Sequence, residues 1–484
     1  MIESYLLKNI AGYIDGQWVD KADSGETVAV FNPANGKTLA EIPYMAADET
    51  RRAIDAAKAA RTHVPDVKTR REWLEDCFEA LTEEKEEIGR ILCLEHGKPW
   101  KEAQGEVEYA AGFFDYCAKN IDILKPDELE EKAKDCTWTV HHRPVGVVGL
   151  ITPWNFPIGM IAKKIAPAIA ADCPSVIKPA SETPLTMIAM FQLFHERLEL
   201  PKGYVNLVMG SSSQIGGELM SSPDVTMISF TGSTEVGKLL IEQSKDHVKK
   251  LGLELGGNAP FIVFDDADID HATTQLVGNK FRGGGQTCVC ANRIYVQSGV
   301  YEEFTDKLVE KVKALKVGDG MDEDIDVGPL INKAGFEKVQ NHVADALSKG
   351  AKLVAGKHPD ELDAEKNLFY TPTVVTGVTH DMACCKEETF GPLVPMIEFD
   401  DEDEVIELGN TTEFGLASYV FTSDEKRAEK TIRGLHFGHC GWNTGTGPAP
   451  HAPFGGMKQS GIGREGGDEG IMEFVEVQTV PRGK

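Results

Sequence analysis

Between Val145 and Phe264 the chain repeats one unit: a short, unbroken apolar run followed by a stretch of helical length. The runs are Val145 to Ile151, Ser175 to Ile177, Val205 to Met209, Thr226 to Phe230 and Phe261 to Phe264, and the intervening stretches include Ile158 to Ala171, Pro184 to Leu198 and Glu235 to Gln243. Strands covered on both faces lose in-out alternation and read as continuous apolar runs, and helices of this length suit parallel crossovers. The pattern predicts an α/β fold on a doubly wound sheet. A similar alternation resumes after Asp265, with helices predicted at Asp268 to Phe281, Tyr301 to Leu315 and Asn332 to Ser348, so a second α/β domain follows. Ahead of both, Thr69 to His96 sets Trp73, Leu74, Cys77, Phe78, Leu81, Ile88, Ile91 and Leu92 on one helical stripe that Gly97 would end. A further helix carries Val107, Ala110, Ala111, Phe114 and Cys117.

Charge and chain ends narrow the function classes. The 77 acidic residues exceed the 50 basic ones and give a net charge of -27. Such a field repels nucleic acid and anionic membranes at long range. The longest uncharged run, Pro144 to Ala162, holds Pro144, Pro153, Pro157 and Asn155, which argues against a membrane span. Met1 to Ile10 lacks the features of a secretory signal, and the 10 cysteines show no framework spacing, so a reducing cytoplasm is the expected location. Cys384 and Cys385 are adjacent but lack the further ligands zinc requires, and no metal site is expected.

Two nucleotide patterns fail on inspection. Gly461 to Gly466 fits GxGxxG, yet only 18 residues follow it, too few to complete a βαβ unit. Gly232 to Lys238 fits most of a P-loop, but Leu239 stands where a hydroxyl must ligate magnesium. Gly232 and Ser233 still fall between a predicted strand and a helix, where backbone N-H groups meet an anion such as a dinucleotide phosphate.

Three segments carry chemistry. Cys288 follows Gly283, Gly284 and Gly285 with Gln286 and Thr287 between, on backbone a substrate can approach closely. The cysteine reads equally as a nucleophile or as a small buried hydrophobe. Glu254 stands among apolar residues and two glycines; burial would raise its pKa and suit it to take a proton from water, the alternative being an ion-paired core acid. Asn155, between Pro153 and Pro157, places a fixed amide where it can donate to an oxyanion.

In order and spacing, Pro153-Trp-Asn-Phe-Pro157, Lys178-Pro-Ala-Ser-Glu-Thr-Pro184, Phe230-Thr-Gly-Ser-Thr234, Glu254-Leu-Gly-Gly257, Gly285-Gln-Thr-Cys288, Glu387-Glu-Thr-Phe-Gly-Pro392 and Pro453-Phe-Gly-Gly456 together resemble the aldehyde dehydrogenase superfamily. Within it, Gly285 to Arg293 and Leu255 to Phe264 resemble the succinate-semialdehyde dehydrogenase branch. The resemblance implies an aldehyde dehydrogenase-like α/β fold: a cofactor domain at 1–124 and 144–255, a catalytic domain at 256–443, and a small β oligomerisation element at 125–143 and 470–484. It implies Cys288 as nucleophile, Glu254 as base and Asn155 as oxyanion donor, and a homodimer or homotetramer.

Cofactor contacts carry over to Trp154, Lys178, Pro179, Ala180, Ser181, Gly232, Ser233, Leu255, Glu388 and Phe390. Members strict for NAD often place a glutamate where Ser181 stands; a small neutral residue beside Lys178 favours NADP, with neighbouring Glu182 pulling toward NAD. For an anionic aldehyde the resemblance points to Arg282, to Lys163 where the branch usually has arginine, and to the loop at His451. Lysine lacks the fork that grips a planar carboxylate. Succinate semialdehyde is the first expectation, and a sulfonated aldehyde like 3-sulfolactaldehyde the alternative. Cys290 reads either as partner in a disulfide that blocks Cys288 or as inert packing. A CoA-acylating enzyme should lack Glu254, and an inactive binding protein on the same fold should have lost one of Cys288, Glu254 and Asn155.

Overall fold

A computed structural model of the chain describes residues 1–129 and 135–483. Its first sheet has eight strands in the order Gln17–Val19, Gly12–Ile14, Val205–Leu207, Ser175–Lys178, Val147–Ile151, Val225–Thr231, Lys250–Glu254, Gly461–Ile462. The inner strands from Val205–Leu207 to Lys250–Glu254 are mutually parallel, and the outer ones pair antiparallel. Val147, Val148, Leu150, Val176, Ile177, Met227 and Ile228 are all buried, which is why these strands read as unbroken apolar runs. The chain lays down Val147–Ile151, moves outward through Ser175–Lys178 and Val205–Leu207, then returns to Val225–Thr231 on the other side. That reversal opens a crevice at the carboxyl ends of Val147–Ile151 and Val225–Thr231.

The second sheet runs Lys352–Ala355, Thr373–Thr376, Leu393–Phe399, Ala291–Gln297, Ala259–Val263, Ala417–Phe421, His439–Trp442, parallel except at Lys352–Ala355. A third, antiparallel sheet joins Val475–Gly483, Cys136–Pro144 and Asp127–Glu128, with Val475–Gly483 on its edge. Residues 130–134 of the charged connector lie outside the described residues. No described helix is long and apolar enough to cross a membrane.

One predicted helix proves to be two. Val67–Glu83 and Lys85–His96 meet at Glu84, where the backbone leaves helical geometry at φ -95°, ψ 13°. The Glu84 carboxylate accepts from Tyr5 Oη at 2.5 Å and Arg197 Nη2 at 2.8 Å, so the bend is pinned by long-range partners that periodicity cannot show. The stripe continues across it because both segments pack in the same core. Gly97 ends the second helix in the left-handed region at φ 89°.

Candidate active site

Cys288 lies beyond the end of helix Ile269–Lys280, reached through a tight turn. Gly283, Gly284 and Gly285 are left-handed in succession at φ 57°, 66° and 76°. A Cβ on Gly285 would overlap the Gly391 carbonyl, so both strain and space demand glycine. Gly285→Ala is therefore expected to cost about 2–4 kcal/mol, the sum of left-handed strain and overpacking, and to lower the thermal midpoint with loss of activity. Gln286 locks the turn: its Nε2 donates to Gly283 O at 3.0 Å and its Oε1 accepts from Ile331 N at 3.0 Å.

The strand Val147–Ile151 delivers Asn155 to the same place. Asn155 Nδ2 donates one hydrogen to Gln286 O at 2.9 Å, and Oδ1 is buried without a partner among the described residues. Behind it lies an ion pair that sequence reading missed. Lys98 Nζ is 2.5 Å from Glu106 Oε2, donates to Asn155 O at 2.9 Å and sits 4.1 Å over the Phe156 ring. Glu106 Oε1 accepts from Ile158 N and Gly159 N, at 3.0 and 3.1 Å, capping helix Gly159–Ala170. The loop bearing Asn155 is thus clamped from both ends by charges that lie about fifty residues upstream.

Glu254 closes the strand Lys250–Glu254, 4% exposed, with both carboxylate oxygens lacking a partner among the described residues. Beside it is Glu465, which lies inside the rejected GxGxxG stretch. The Gly461–Ile462 part of that stretch pairs antiparallel with Leu253 and Glu254, and Glu465 forms ion pairs with Lys163 Nζ at 2.5 Å and with Lys164 Nζ. Lys164 also donates to Ser229 Oγ at 3.0 Å.

Cys288 is the point where two cavities meet. One, of about 430 Å³, is lined by Tyr109, Phe156, Lys163, Arg282, Thr446 and Phe454 among others. The Arg282 guanidinium lies 4.9 Å over the Phe156 ring. His451 is exposed and is not among the lining residues; the loop before Pro453 turns so that Gly445, Thr446, Gly447 and Pro448 face the cavity instead. The other cavity, of about 370 Å³, gathers Trp154, Asn155, Gly232, Ser233, Leu255, Glu388 and Phe390. Lys178, Pro179, Ala180 and Ser181 follow the neighbouring strand Ser175–Lys178 along the same edge, outside that lining. Asn332 and Lys338, at the start of helix Lys333–Ser348, also line it and had no motif to mark them.

Compared with known proteins, residues 18–480 match the aldehyde dehydrogenase family. The chain belongs to that family. It is 45% identical over 96% of both chains to glutarate-semialdehyde dehydrogenase of Pseudomonas aeruginosa. It is 46% identical, again over 96% of both chains, to the NADP(+) succinate-semialdehyde dehydrogenase of Escherichia coli, and 47% identical to 3-sulfolactaldehyde dehydrogenase of Pseudomonas putida over 98% of this chain and 97% of that one. An oxidoreductase structure from Marinobacter aquaeolei superposes with a TM-score of 0.98 at 64% identity over the full length of both chains. The chain is an NAD(P)-dependent aldehyde dehydrogenase.

The second cavity fits a dinucleotide by its own chemistry. Ser233 caps helix Thr234–Ser244, accepting from Val236 N at 3.3 Å, so first-turn N-H groups face the crevice where an anion is stabilised. A Cβ on Gly232 would overlap the Phe230 ring, and the Thr231 hydroxyl is buried without a partner among the described residues. Glu388 accepts from Gly257 N at 3.1 Å, and burial raises its pKa to about 7. Phe390, left-handed at φ 57°, sets its ring edge-on to Trp154 at 5.5 Å.

The Cys288 thiol is held in its protonated form. Burial pushes Cys288 up to about 12, Lys163 pulling it down and Glu388 and Glu254 pushing it up. Alkylation of Cys288 by iodoacetamide is expected to be slow at neutral pH and to rise about tenfold per pH unit up to at least pH ~9, as the thiolate fraction grows; peptide mass mapping of the free enzyme reads this out. Cys290 is buried, its Sγ directed at the carbonyls of Ala291 and Lys280 at 3.5 and 3.8 Å, away from the cavities that Cys288 lines.

Proposed function

We propose that this aldehyde dehydrogenase oxidises a small aldehyde with an anionic tail, succinate semialdehyde foremost, to the carboxylic acid, with NADP preferred to NAD. The observation that carries the reading is Arg282: it lines the same cavity as Cys288 and has no carboxylate partner among the described residues. An unpaired guanidinium at a cavity wall, stacked on an aromatic ring, is suited to an oxyanion. The three relatives differ in named substrate yet share an aldehyde with an anionic tail.

In this mechanism the Cys288 thiolate adds to the aldehyde carbon. The oxygen of the thiohemiacetal becomes an oxyanion, held by the second Asn155 Nδ2 hydrogen and the Cys288 backbone N-H. Trp154, Gly232, Ser233, Glu388 and Phe390 would hold the dinucleotide, which when bound supplies the acceptor for the hydride leaving that carbon. The thioester left on Cys288 is hydrolysed by water that gives its proton to Glu254. Neutral Ser181 beside Lys178 supports NADP, since no carboxylate at that position opposes a ribose phosphate. The edge strand Val475–Gly483 would pair subunits into a homodimer or homotetramer.

A sulfonated aldehyde is the second reading, favoured because Lys163 is held by Glu465 and leaves Arg282 with the loop at Gly445 to Pro448 facing the tail. Nicotinamide reduction followed by absorbance tests both. We expect kcat/KM for succinate semialdehyde to exceed that for butanal by about 10- to 100-fold, the worth of one charge-assisted pair. Equal values for the two would remove the anionic-tail reading, and a clear preference for a sulfonated aldehyde would install the second.

A further inference from the structure

A second charged cavity lies at the amino-terminal end of the first sheet's central strands, opposite the crevice. Of the fourteen arginines in the chain, seven form ion pairs with carboxylates among the described residues. Three of the other seven, Arg61, Arg70 and Arg143, line one cavity of about 390 Å³ together with His142 and Asp172. In a chain of net charge -27, three guanidiniums gathered against one carboxyl is the reverse of the surrounding field. Like charges brought together without partners repel, so such a cluster is favourable mainly when an anion completes it.

The polar groups there are under-used. Arg70 Nη1 donates to Ala170 O, while its Nε is buried without a partner among the described residues, and so is His142 Nδ1. Among the described residues the Arg143 guanidinium donates only Nε, to Gln478 Oε1 at 3.0 Å. Asp172 stands in left-handed backbone at φ 62° and accepts from Tyr204 Oη at 3.2 Å. Burial raises its pKa to about 6, with Arg70 and Arg61 opposing the rise. The apolar part of the wall is Val64, Pro65, Leu124 and Val475. The segments around Pro144 and Asp172 lead into the amino ends of Val147–Ile151 and Ser175–Lys178, whereas Cys288 lies at the carboxyl ends. The cavity is therefore separate from the aldehyde and cofactor sites.

We propose that Arg61, Arg70 and Arg143 form a binding site for a small polyanion bearing phosphate groups, distinct from the dinucleotide site. Its volume exceeds what one phosphate fills, and three forked donors suit more than one oxyanion group.

The test is titration calorimetry of the full-length enzyme with pyrophosphate at constant ionic strength, with NADP present at saturation so that the dinucleotide site is filled. We expect one saturable site per chain, weakened at least about tenfold in Arg61→Gln and again in Arg143→Gln, with aldehyde oxidation retained. Arg61 and Arg143 are exposed side chains, so neither change should alter the thermal midpoint of the free enzyme. Absence of saturable heat, binding that NADP abolishes, or binding indifferent to both variants would each overturn the proposal. So would Arg61→Gln or Arg143→Gln splitting the oligomer on a sizing column without weakening pyrophosphate, because the cluster would then serve a partner subunit.

Discussion

Glu254→Gln is expected to yield an enzyme that reduces about one nicotinamide per active subunit in a burst and then nearly stops. Addition to the aldehyde and loss of hydride need the thiolate and the oxyanion donors, which the substitution leaves in place. Hydrolysis of the thioester needs a base beside it, and Glu254 has the right surroundings: both oxygens are buried and unpartnered, and a Cβ on Gly455 would come within 2.9 Å of Oε1. Burial raises its pKa well above the usual carboxylate range, Glu465 adding to the rise while Lys163, Lys164 and Arg464 oppose it. Such a group gains its basic form as pH rises, so wild-type turnover should climb through neutrality toward alkaline pH. Removal of a positioned base typically costs about 10²–10⁴-fold, and steady turnover in the variant should fall by that much and lose its pH dependence. Rapid-quench or stopped-flow kinetics separates the two phases. A variant that turns over at the wild-type rate would show that water is activated elsewhere; one with no burst would place Glu254 before the thioester, in thiol activation.

The legible parts of this chain were those written locally. Buried parallel strands declared themselves as apolar runs because both faces of the sheet are covered, and Gly97 and Gly283 to Gly285 stand where the backbone turns left-handed, a conformation glycine adopts without strain. Short or amphipathic elements did not stand out: Lys250–Glu254 hid inside the motif that carries Glu254, and Gln17–Val19 at the sheet edge and Gly12–Ile14 next to it are only three residues each. Least legible were the charges that serve the site from afar. Lys98 and Glu106 support Asn155, and Glu465 reaches Lys163 and Lys164, across separations that no window of sequence spans. The stretch around Glu465 pairs along the edge of the first sheet with Leu253 and Glu254, which brings its acid beside Glu254. His451 illustrates the converse: proximity in sequence to Pro453 suggested a substrate contact, and the turn of the loop carries it outside the cavity.

Lys163 and Arg282 line one cavity, yet they are expected to fail differently. Lys163 is 3% exposed, and its ammonium is 2.5 Å from Glu465, with the Phe454 ring at 5.5 Å. Burial disfavours that charge, but Glu465 and the lesser pull of Tyr109, Glu254 and Cys288 hold its pKa above the ordinary lysine value. A cation so committed has little left for a substrate tail; its field acts on Cys288 instead, where it is the largest influence favouring the thiolate. Lys163→Met should therefore lower kcat about 10-fold or more for butanal and succinate semialdehyde alike, and move the acid limb of the pH profile upward, because Glu254, whose pKa Lys163 holds down, and the thiol then both ionise less readily. Glu465 keeps Lys164, so the fold should survive. Arg282→Gln should instead raise KM for the anionic aldehyde by about 10- to 100-fold and leave butanal almost unchanged, the loss being one charge-assisted contact to the tail. If Lys163→Met spares butanal and weakens only the anionic aldehyde, the lysine reads the tail after all, and its pairing with Glu465 gives way when substrate enters. If both variants act on both aldehydes, the cavity wall is built for the reaction and the tail is recognised by the Gly445 to Pro448 loop.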